Sequence, residues 1–176
     1  MYNENVISQH MKTRCYFMSV MCGVSLYTWT NYSLFDPVNN DFFSPHYQNC
    51  LLFLFYLSWD LYKMYTNKLL YRTDLVIHHI VSISSCALTF NSYSLQMSNM
   101  LIAESISVMN YVWSNEPELL KLWRTACVLL CRMPIELFLI FGHNPTFNAF
   151  GWTTNNTPFA ICFILYDCHI LWKLYK

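Results

Sequence analysis

Charge is what this chain has least of. Asp, Glu, Lys and Arg make up 11% of its 176 residues, against about a quarter in an average soluble domain. That leaves too little polar surface to face water on every side. Acidic and basic residues cancel to a net charge of zero, and the absence of any basic patch argues against a nucleic-acid partner. Glycine is scarce as well, with three residues. A phosphate-binding glycine loop and a nucleophilic-serine elbow are both missing. No CxxC occurs among the eight cysteines, most of which sit in apolar runs. There they act as small buried hydrophobes rather than as a disulfide framework or a zinc site. The H-x-x-H-H sets of membrane di-iron enzymes are absent, because His10, His46, His78, His79, His143 and His169 are scattered. No metal and no cofactor is expected.

What remains is 55% apolar and 18% aromatic, with several long apolar runs. This composition predicts an all-α, polytopic membrane helix bundle rather than a β-barrel. The spacing predicts about six transmembrane helices in one domain, residues 15–176, behind a polar cytoplasmic tail, residues 1–14. The expected spans are Cys15–Tyr32, Cys50–Tyr65, Leu75–Phe90, Leu95–Trp113, Leu120–Phe141 and Pro158–Trp172. The first reads as a retained signal anchor rather than a cleaved signal peptide. Loops are expected at Ser33–Asn49 and Gly142–Thr157, and a tight turn at Asn91–Ser94. Thr73 or Asp74 is placed to cap the third span. Pro134 is expected to kink the fifth and release the carbonyl of Leu130. Lys12, Arg14, Lys63, Lys68, Arg72, Lys121, Arg124, Lys173 and Lys176 all fall at one end of a six-span bundle. By the positive-inside rule both termini are cytoplasmic.

Against that background the stretch Asp74-Leu-Val-Ile-His78-His79 stands out, because paired histidines in an apolar helix are costly unless partnered or used. Helical counting from His78 reaches Ser82, Ser85 and Thr89; from His79 it reaches Ile83, Cys86 and Phe90. His78 is therefore expected to face the bundle interior and His79 a lateral interface, about 100° away. The alternative is a pair snorkelling to the headgroups. Asp60 lies roughly 9 Å from the end of its span and His78 roughly 5 Å from the start of the next. Asp60, His78, His79 and Asp167 are thus a candidate cluster near the cytoplasmic face. A carboxylate beside an imidazole suits a general base, and an imidazole can accept an acyl group. Ser82, Ser85, Glu104, Asn110, Arg132 and Asp167 are candidate binding residues. Glu104 and Arg132 are expected to pair across helices, and Arg132 and Glu136 along one. Gln96, Asn99, Ala103, Ser107 and Asn110 trace a face suited to helix packing.

Ser58-Trp-Asp60 followed by Asp74-Leu-Val-Ile-His78-His79 resembles the centre of the TLC domain, the family of ceramide synthases and translocon-associated membrane proteins. Glu104, Asn110 and Trp113 resemble a segment of its non-synthase branch, as do Arg132 with Pro134 and, loosely, the ending Trp172-Lys173-Leu-Tyr-Lys176. The resemblance covers residues 50–176. It implies a membrane-lipid function with His78 and His79 as the functional pair, in a membrane such as the endoplasmic reticulum. The acidic box of the synthases is missing, since Ala103-Glu104-Ser-Ile-Ser-Val-Met-Asn110 holds one carboxylate. The expected function is lipid binding, sensing or redistribution. The alternatives are an acyltransferase using acyl-CoA as cosubstrate and a structural or cargo-interaction protein.

Overall fold

The computed structural model describes residues 2–33, 42–141 and 157–176. Among them there is no strand, and the chain is all-helical. Helix α1 runs Tyr2–Asn31, α2 Pro45–Thr66, α3 Thr73–Met100, α4 Ser105–Val112, α5 Pro117–Ala126, α6 Met133–Phe141 and α7 Thr157–Tyr175. A short 3-10 turn, Leu101–Glu104, joins α3 to α4, and a π-helical segment, Cys127–Arg132, joins α5 to α6.

Local chemistry explains most of the ends. Pro45 and Pro117 occupy the first turns of α2 and α5, where no intrahelical N–H is needed. Lys63 in the last turn of α2 and Asp74 in the first turn of α3 complement the helix dipoles. The cap position of α3 is Arg72, with no side-chain cap bond, so neither Thr73 nor Asp74 caps it as expected. The π segment precedes Pro134, as the lost donor predicts. The N–H of Met133 bonds the carbonyl of Val128, five residues back, one residue more than α-helical spacing.

The path of α3 is the main surprise. Its helical hydrogen bonding runs through the expected turn at Asn91–Ser94. A straight helix would hold His78 and Leu101 roughly 34 Å apart, yet both line one small cavity with Phe53 and Glu104. The two arms of α3 therefore double back between Cys86 and Leu95. Cys50 of α2 packs near both arms, in one core cluster with Cys86 and with its thiol 3.3 Å from the carbonyl of Ser94. The described residues thus make six antiparallel passes. The core between them is Met-rich, with Met18, Met21, Met97 and Met100 around Phe53, Tyr56 and Leu57.

Among the described residues, no helix is long and apolar enough to cross a membrane. The reason lies in where the polar residues sit. Ser25, Thr28, Asn49, Asp60, Ser94, Gln96, Ser98 and Asn99 are buried. Tyr16, Val20, Phe55, Ile77, Ile80, Leu130 and Leu165 are each more than half exposed. In α1, α2 and α3 these buried polar groups lower the helices' mean hydropathy while large apolar side chains point out; α4 and α5 bury no residue. Residues 5–14, expected as a tail, are part of α1, and two of them enter the core: His10 is buried and Arg14 half-buried.

Candidate functional site

Asp60, on the inner face of α2, is fully buried and sits between two imidazoles. His79 Nε2 of α3 lies 2.7 Å from Oδ2, and His10 Nε2 of α1 lies 2.8 Å from Oδ1. An ionised carboxylate only accepts, so the His79 ring donates through Nε2, while the His10 ring makes a close charge contact with Oδ1. One turn before Asp60, the Tyr56 hydroxyl donates to Oδ2 at 3.3 Å. One turn after His10, Arg14 Nε donates to the Tyr56 oxygen at 2.9 Å and stands 3.9 Å from Oδ2. Trp59 stacks on the His10 ring at 5.2 Å between centroids. With its Nε2 proton on Asp60, a neutral His79 keeps its lone pair on Nδ1, which is buried and without a hydrogen-bond partner. That is a base held in one tautomer. No cluster of His, Cys, Asp and Glu that could hold a metal occurs among the described residues.

The two histidines exchange the roles expected of them. His79, not His78, is the buried partner of Asp60. His78 is half-buried and stacks on Tyr166 of α7 at 4.8 Å and 20°, with Phe163 edge-on. Asp60 lies on the His79 side of α3, and one residue of helix rotates the contact by about 100°. Ser82 and Ser85 are buried as expected. Cys86, expected at a lateral interface, is fully buried in the core instead. The side chains of Thr89 and Phe90 fall outside the described residues.

Asp167 does not join the Asp60 cluster either, because α7 packs on α6 rather than on α2. Its Oδ2 meets Arg132 Nε at 3.1 Å, and Glu136 Oε1 lies 3.7 Å from the same nitrogen. The local Arg132–Glu136 pair is present as expected. The expected Glu104–Arg132 pair is not seen among the described residues, although the two share a cavity wall. Asn110 accepts from Arg124 at 2.6 Å across the α4–α5 turn. His10, Arg14, Tyr56 and Tyr166 escaped sequence reasoning. The four-residue spacing of His10 and Arg14, running without a break into the first apolar run, was the available signal.

Arg14, Tyr56, His78, His79, Arg132 and Tyr166 line a cavity of about 330 Å³. All four arginines of the chain, Arg14, Arg72, Arg124 and Arg132, line it with Lys173 and His78. Asp74 and Glu104 are its two carboxylates. At the mouth, Arg72 holds Asp74 with a 2.6 Å contact, and this keeps the Asp74 carboxyl below its usual range.

The fold and site define an all-helical bundle with a charged, buried polar centre at one end. No protein-family model, curated protein or solved structure matches this chain.

Proposed function

We propose that this is a multi-pass, lipid-interacting membrane protein of the TLC type, which binds, senses or redistributes lipids in a membrane such as the endoplasmic reticulum. The inside-out distribution carries the reading. Buried charge and amide groups with exposed large apolar side chains are what a bilayer demands and what water penalises. A helix that hides its polar residues against neighbours needs only an apolar outer face to meet lipid, so a low mean hydropathy along each helix is compatible with this arrangement. The basic end would face the cytoplasm. The cavity there has the size and mixed lining of a small-ligand site.

The test is extraction and lipid analysis. The protein should stay with membranes through alkaline carbonate and should carry lipid through purification in mild detergent. Release by carbonate would end the membrane reading, and retention without any lipid would favour an interaction protein.

One observation favours the alternative of an acyltransferase: the His79–Asp60 contact at 2.7 Å gives a tautomer-fixed base or nucleophile. With acyl-CoA and amine acceptors, we expect no product, because the acidic box is missing. An acyl adduct lost in His79→Ala would put catalysis first.

A further inference from the structure

We infer that the arginine-lined cavity is a phosphate site that takes a phosphomonoester headgroup; this rests on the lipid reading above. The argument begins with which basic residues are there. The chain has four arginines and six lysines. Every arginine lines this one cavity, and of the lysines only Lys173 does. A rule that merely places positive charge at one end does not sort arginine from lysine. Recognition of a tetrahedral anion does, because the planar guanidinium presents paired donors that match two oxygens at once.

The arginines arrive from four separate places: α1, the α2–α3 loop, α5 and the π segment. Their existing partners show which are available. Arg132 is committed to Asp167 and Glu136, Arg72 to Asp74, and Arg14 to Tyr56 and Asp60. Arg124 is held only by the neutral amide of Asn110. Lys173 has no carboxylate within 4 Å among the described residues. Arg124 and Lys173 are therefore the uncompensated cations, and Asn110 pre-orients the guanidinium. Glu104 lies on the wall shared with the interior cavity, beside Phe53 and Ser82. It repels an anion from that side, as Asp74 does beside Arg72, so the phosphate seats between Arg124 and Lys173. A doubly charged phosphate offsets both free cations; a neutral headgroup offsets neither.

The experiment uses full-length protein in nanodiscs or mild detergent and native mass spectrometry. The probes are phosphatidic acid, phosphatidylcholine and diacylglycerol of the same chains, with inorganic phosphate as the water-soluble arm. Phosphatidic acid should bind at least about tenfold tighter than diacylglycerol, as charge-assisted hydrogen bonds predict. The Arg124→Gln/Lys173→Gln variant should lose that preference and keep its diacylglycerol affinity. Arg124→Lys, which retains charge but not the fork, should lose part of it and serves if the double variant fails to fold. Lys12→Gln/Lys68→Gln removes equal charge from exposed positions outside the cavity and should change nothing. Equal affinity for all three lipids, or equal loss in that control, overturns the phosphate site and leaves the lipid reading standing. Binding of inorganic phosphate with no lipid retained sinks the lipid reading instead and keeps the site. Binding of neither overturns both.

Discussion

The bundle buries polar groups in two places, and the two are built differently. Away from the basic end, Asn49 donates to Ser98 Oγ at 2.9 Å and to Ser25 Oγ at 3.2 Å. Thr28 donates to Asn99 Oδ1 at 2.7 Å, and Trp29 Nε1 to the Asn99 carbonyl at 3.0 Å. This neutral network ties α1 and α2 to the returning arm of α3. At the basic end, Asp60 with His10 and His79, and Arg132 with Asp167 and Glu136, bury ionisable groups instead. Neutral hydrogen bonds contribute modestly and have no protonation chemistry. Buried ionisable groups are poor stabilisers for their cost, yet removing one partner strands the others. A fold that needed only glue had the neutral solution available and used it. The charged end is the one the proposed function uses.

That contrast can be broken by substitution. Arg132→Met leaves Glu136 and Asp167 buried without their cation and should cost about 3–5 kcal/mol in chemical unfolding in detergent. The triple variant Arg132→Met/Glu136→Gln/Asp167→Asn should recover much of it; no recovery would mean that packing, not charge, dominates there. Asp60→Asn strands two imidazoles and should cost a similar amount, about 3–5 kcal/mol. Combined with His79→Gln, its effect should fall well short of the sum of the two singles, as contacting residues do. Combined with His78→Gln, which reaches Asp60 only through the His79 ring, the coupling should be smaller; a larger coupling there would reverse the assignment of the two rings.

Smaller effects are expected from the neutral network. Asn49→Ala should destabilise by about 1–3 kcal/mol, the usual cost of unpaired buried polar groups, and should leave lipid retention intact. A loss of retention at unchanged stability would erase the division between the two ends. Smallest of all is the exposed Arg72–Asp74 pair, worth about 0.2–1 kcal/mol. Arg72 holds the Asp74 carboxyl low in the folded state. Its contribution is therefore fully present above the unfolded carboxyl value, near 3.9, and is lost as pH falls through the folded value. Wild type and Asp74→Asn should differ slightly in unfolding midpoint at pH 7 and converge in strong acid; a constant difference would show that protonation of Asp74 plays no part.

Much of this was legible in advance because it depends on local chemistry. Long apolar runs broken by Pro and Asn predicted helices, but residues 45–49, expected in a loop, open α2, and the expected turn at Asn91–Ser94 is helical. Pro134 was expected to kink its helix, and a π segment directly precedes it. The Arg132–Glu136 pair followed from its four-residue spacing. Asn99 was read as packing and lies in the neutral network. Of the expected loop at Gly142–Thr157, residues 142–156 fall outside the described residues, and Thr157 opens α7. The tail before Cys15 was misjudged because polarity alone suggested a segment outside the core, whereas His10 and Arg14 find buried partners 50 and 42–46 residues away.

The sequence by itself determined an all-helical chain, the rough count of passes and the gathering of basic residues at one end. Each follows from composition and period, which act over a turn or a loop. Tertiary structure alone decided that His79 rather than His78 meets Asp60, that Asp167 pairs with Arg132, and that four arginines far apart in the chain share one cavity. Those outcomes turn on the rotation of each helix about its axis and on which helix it packs against. A difference of one residue is about 100° of rotation, and only the close packing of neighbouring helices selects between such phases.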